Sequence, residues 1–100
     1  QRLENIWSFR ESELYTDAEK AAFELALAAS SVPNAVTDEI IAKMHEYWDD
    51  GEIVEILGVI SLFGYLNRWN DSMGTTMEPG AVDAGERLLA NSDWSRGKHV

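Results

Sequence analysis

The sequence predicts an all-α fold, a small helical bundle. Three observations carry that prediction. Apolar residues recur at helical spacing in three separate segments, helix-start signatures stand in front of those segments, and no stretch alternates as a strand would. One hundred residues correspond to a single domain, and 45% hydrophobic content with four Trp and three Phe demands a core or an oligomer interface.

Residues 1–10 are expected to form a short helix with Leu3, Ile6 and Trp7 on one face, and residues 11–15 to connect it to the next. Thr16 opens a helix over 16–30. Its hydroxyl faces the amide of Glu19, three residues on, and Glu19 can return the bond, which is the capping-box pattern. Ala18, Ala22, Leu25 and Ala29 form its stripe, extended by Phe23 and Leu27, and the alanines allow close helix approach. Pro33 and Asn34 punctuate the chain. Thr37 caps a helix over 37–48, with Asp38 and Glu39 where the helix dipole favours negative charge and Ile40, Ile41, Met44 and Trp48 as its stripe.

A longer helix is expected over 52–72, with Asp49 and Glu52 at capping-box spacing before it. From Ile53 to Trp69 apolar side chains leave almost no wet face, and a helix apolar all round is buried in a bundle or between subunits. Two neighbouring stripes cannot cover such a cylinder. The expectation is a homo-oligomer, a dimer or higher, with Leu57, Ile60, Phe63 and Leu66 at the interface. A loop follows, then a weak helix over 82–91 with Leu88 and Leu89 inward, and a docked or frayed tail over 92–100.

The charge balance is −10, from 18 acidic and 8 basic residues. Such a surface repels nucleic acid and anionic membranes, so neither is expected as a partner. There is no cysteine, hence no disulfide, no thiol chemistry and no thiolate-bound metal within these residues. Together with the lack of a visible signal peptide, this fits a cytoplasmic protein. The run from Ile56 to Leu66 is too short to span a bilayer.

Few residues suggest chemistry, and neither a catalytic set nor a cofactor is assigned. His45 and Asp49 lie four apart and share a helix face, but two ligands are too few for a metal site and a solvated pair is the simpler reading. Glu55 interrupts the apolar run; partial burial would raise its pKa and suit it to acid–base work, while an outward side chain would make it inert. Asn67, Arg68, Asn70 and Asp71 make the densest polar cluster, read either as structural hydrogen bonding at a helix end or, with Glu55, as a candidate site. An apolar ligand held between helices is a further possible partner.

Four segments occur in order: Tyr15-Thr16-Asp17-Ala18-Glu19-Lys20-Ala21-Ala22, Val36-Thr37-Asp38-Glu39, Glu52-Ile53-Val54-Glu55-Ile56 and Tyr65-Leu66-Asn67-Arg68-Trp69-Asn70-Asp71. This set resembles the carboxymuconolactone decarboxylase family, in its alkyl hydroperoxidase D-like branch, and the closing Trp94-Ser95-Arg96-Gly97-Lys98-His99 is similar to tails in that branch. The resemblance covers nearly the whole chain. It implies an all-helical, oligomeric fold of which this chain matches the C-terminal half. The family's peroxidases use a Cys-x-x-Cys pair, a His and an upstream Glu. That segment precedes the part matched by Gln1, so none of those roles transfers to a residue here.

Overall fold

The computed structural model describes residues 4–89 together with Ser95 and Gly97. Among the described residues the protein is a small all-α bundle without strands. A 3-10 turn spans Ile6–Ser8, and four helices follow: α1, Asp17–Ala29; α2, Asp38–His45; α3, Asp50–Met73; and α4, Pro79–Leu88.

Local chemistry fixes the starts of the first three helices. The Thr16 hydroxyl accepts from the Glu19 amide at 3.1 Å, and the Thr16 amide donates to the Glu19 carboxylate at 2.9 Å, so the capping box is complete. Thr37 accepts from the Ile40 amide at 3.2 Å at the head of α2. Asp49 and Glu52 exchange bonds of 2.8 and 2.9 Å at the head of α3, a second capping box. Two acidic residues sit in the first turn of each helix, where they oppose the positive end of its dipole.

The core lies where α1, α2 and α3 meet. Leu25 and Met44 are 1% and 0% exposed, Ala21 and Ile53 join them, and Ile40, Ile41, Trp48, Ile56 and Ile60 pack around the four. The indole N–H of Trp48 donates to the carbonyl of Ala18 at 3.1 Å, tying the α2–α3 corner to the start of α1. No buried polar or charged residue is found among the described residues, so packing alone fills this core. α4 makes at most a marginal contact with the other helices.

The elements depart from the sequence expectation in physically traceable ways. Residues 1–10 do not form a helix over their described part: only Ile6–Ser8 turn, and Leu3 lies outside the described residues. Trp7 is exposed, and Phe9 is the buried aromatic. Phe9 and Tyr15 both meet Phe23 edge-on, with ring centroids 5.4 and 5.1 Å away, and the chain must bend to place both. Arg10 reinforces this bend. Its guanidinium pairs with the Glu24 carboxylate, and the Arg10 carbonyl accepts from Lys20 at 3.2 Å. The hydrogen bond from Arg10 holds the Glu24 carboxyl below its ordinary pKa, so this stabilisation exists above the carboxylate range and fades as pH falls through it.

α1 therefore has two covered sides. Ala21, Leu25 and Ala28 face the core, Phe23 faces the N-terminal segment, and Leu27 is exposed rather than part of the stripe. α2 ends at His45, short of residue 48, because Asp49 needs extended backbone to cap α3 and Trp48 turns inward. α3 begins two residues earlier than expected, directly after its cap, and ends at Gly74, whose φ of 63° is the left-handed cap that glycine adopts without strain. α4 starts at Pro79 rather than 82, since a fixed φ suits the first helical position and needs no amide partner. The expected helix end at 90–91 and most of the tail lie outside the described residues; Ser95 and Gly97 are exposed.

Thr16→Ala removes the side-chain half of the first capping box. It is expected to destabilise the protein by roughly 0.5–2 kcal/mol. Thermal unfolding at fixed protein concentration reads this directly, and an unchanged midpoint would mean that the bond is not energetically significant.

Candidate functional site

α3 has 24 residues, a length of about 36 Å, whereas α2 has eight residues and α1 thirteen. The short helices cover only one side of it. Ile53 is buried and Ile56 and Ile60 are half-buried against the core, and all three lie on one line of the helix. On the far side Val59, Leu62, Trp69 and Met73 are 56, 54, 56 and 66% exposed, and Phe63, Tyr65 and Leu66 are exposed beside them. Past Gly64 no residue of α3 is buried or half-buried before Gly74.

Two surfaces result. The first is that apolar outer face. The second is an open groove of about 1170 Å³ between the end of α1 and the second half of α3. Ala26 and Ala29 form its α1 wall, and Ile60 and Gly64 stand in its α3 wall with Val59, Phe63, Trp69 and Met73 of the outer face, so the two surfaces adjoin; Asn67 and Arg68 supply polar groups. A Cβ at Gly64 would meet nothing within 4 Å, which shows how open that wall is.

The residues singled out in the sequence separate between these places. Asn67 and Arg68 line the groove; Asn70 and Asp71 are exposed and do not. The Asn70 carbonyl instead accepts the amides of Gly74 and Thr75 at the helix end, a structural duty. Glu55 is exposed on the outer face, away from the groove, so the partial burial that acid–base work would require is absent. Of these residues, Asn67 and Arg68 thus border the groove, and Glu55, Asn70 and Asp71 do not. Of the expected interface set, Ile60 is half-buried against the core and borders the groove, whereas Leu57, Phe63 and Leu66 are exposed. His45 pairs with Asp50 at 3.5 Å, not with Asp49, which is occupied as a cap. No group of three or more metal-ligating side chains occurs among the described residues, and His99 lies outside them.

Sequence reasoning missed the α1 contribution to the groove, Ala26 and Ala29 with Ser30 and Asn34. The run of small residues at the end of that helix was the available signal. It also missed the regular spacing of Val59, Leu62, Leu66, Trp69 and Met73, hidden within an apolar run that looks uniform when read linearly.

No known family profile matches the chain, and no solved structure matches it. The chain is similar to the uncharacterized protein YdfG of Bacillus subtilis, at 29% identity over 75 residues, which cover 74% of this chain and 51% of YdfG. It is also similar to the uncharacterized protein YnjA of Escherichia coli, at 31% identity over 68 residues, 68% of this chain and 37% of YnjA. The chain thus spans about half, or less, of the length of these relatives. Among the described residues no helix is long and apolar enough to cross a membrane.

Gly64→Ala is expected to be accepted without a clash and to stabilise α3 by roughly 0.5–1 kcal/mol through helix propensity. Chemical denaturation of the variant tests this; a loss of stability would mean that another backbone occupies the groove at Gly64.

Proposed function

We propose that this chain is a self-associating helical module of the carboxymuconolactone decarboxylase type, corresponding to the C-terminal half of the alkyl hydroperoxidase D-like domain. The ordered segments quoted above support the lineage, and the all-helical architecture agrees with it. The observation that carries self-association is the outer face of α3. Val59, Leu62, Phe63, Leu66, Trp69 and Met73 expose apolar surface contiguously along one helix. Burying each of these half-exposed side chains contributes roughly 1 kcal/mol, so a matching surface gains several together. Closed two-fold symmetry satisfies such a face without leaving an open end.

In this reading the chain has no peroxidase chemistry of its own. Thiol peroxidation needs a thiolate nucleophile, and these residues contain no cysteine. A second reading, a binding module for an apolar ligand, draws on the groove, where apolar walls meet the amide of Asn67 and the guanidinium of Arg68.

Light scattering across the micromolar range is expected to give at least twice the mass of one chain. Leu66→Asp is expected to reduce it to one while circular dichroism still reports helix, because Leu66 does not belong to the buried core. A monomeric parent would refute self-association. Peroxide consumption with a dithiol in metal-free buffer is expected to stay at the protein-free rate, and robust turnover would overturn the assignment of no peroxidase activity.

A further inference from the structure

We infer that the occupant of the outer face of α3 is the same helix of a second copy, running antiparallel, with a two-fold axis near Gly64. This inference rests on the self-association proposed above and specifies its geometry. Val59, Leu62, Leu66, Trp69 and Met73 follow one another at steps of three, four, three and four residues. That is the a/d spacing of a two-helix seam, in which side chains of one helix enter holes of another. All five are exposed; Leu62 and Leu66 lie on the side of α3 away from Ile53, Ile56 and Ile60, while Val59, Trp69 and Met73 also border the open groove beside α1, so the seam is accessible along its length.

Continuing the spacing backwards by four residues reaches Glu55, which is also exposed. In a parallel pair Glu55 would face its own copy on the seam, and like charges placed together oppose association. Trp69 would face Trp69 and Val59 would face Val59, giving one swollen layer and one thin one. The antiparallel pair removes both faults. Val59 stands opposite the partner's Trp69, small against large, and Leu62 stands opposite the partner's Leu66. Glu55 lies level with the partner's Met73, and the two Glu55 side chains are separated by 18 residues of helix, about 27 Å. The opposed helix dipoles also place unlike ends together. Phe63 and Tyr65 flank the central layers and extend the apolar contact on both sides.

The chain contains no cysteine, so a single introduced thiol carries a spin label selectively. Ser72→Cys places the label beside the seam at an exposed position. In the antiparallel pair the two labels lie about 24 Å apart along the axis; in a parallel pair only the interaxial distance of about 10 Å separates them. Pulsed electron–electron resonance on the full chain is expected to give a distribution centred at about 25 Å or more. Leu62→Asp is expected to abolish the dipolar signal and give monomer, while Val54→Asp, exposed but off the seam, is expected to leave the dimer intact. A short label distance in a dimeric protein overturns the antiparallel arrangement and leaves self-association standing. A dimer insensitive to Leu62→Asp overturns the seam. A monomeric parent overturns both readings.

Discussion

The contact of Leu25, Met44 and Ile53 is the constraint on which the remaining arrangement depends. Each side chain comes from a different helix, and none of the three is more than 9% exposed. The corner between α2 and α3 sets this meeting. Asp49 must stand in extended backbone to cap α3, so Trp48 is turned inward, and its indole N–H reaches the Ala18 carbonyl. The direction in which α3 leaves the core is therefore fixed within a few residues of its first turn. α1 receives this load on one side, while Phe9 and Tyr15 lean on Phe23 at another.

That corner also explains why the protein is apolar where it is exposed. A core formed by one short and one medium helix ends well before α3 does. Past Gly64 no residue of α3 is buried by α1 or α2, and only an open groove lies between its second half and the end of α1, yet Leu66, Trp69 and Met73 persist there. Isolated exposed apolar residues need no explanation, but a contiguous line of them along a single helix does. The acidic residues do not dilute this line. Six of the eighteen sit in the first turns of α1, α2 and α3, where the dipoles favour them, and along the line of the outer face only Glu55 interrupts.

The fold class was legible because helix starts are local events. Thr16 with Glu19, Thr37, and Asp49 with Glu52 each announce a cap within four residues, and all three caps form as bonds. What escaped the sequence was tertiary. Nothing local indicates that Phe9 and Tyr15 converge on Phe23, and that convergence bends the segment expected to be helical. Nor does α3's sequence say which of its apolar residues meet the core. Ile60 and Phe63 look equivalent in a run, yet the first packs against α1 and α2 while the second is exposed. Members of the polar cluster part for a related reason: Asn67 and Asn70 are close in sequence, but one borders a groove while the backbone carbonyl of the other accepts the amides that close the helix.

Because α3 is held near one end, it behaves geometrically as a lever arm. The distance from Ile53 to Met73 is 20 residues of continuous helix, about 30 Å. A tilt of about ten degrees at the core would carry the far end through about 5 Å, roughly one helical turn. Substitutions near Ala18, Met44 or Trp48 thus have a reach beyond their own neighbourhood: they set where Trp69 and Met73 arrive. Fine adjustment of the outer face is available through residues that never touch it.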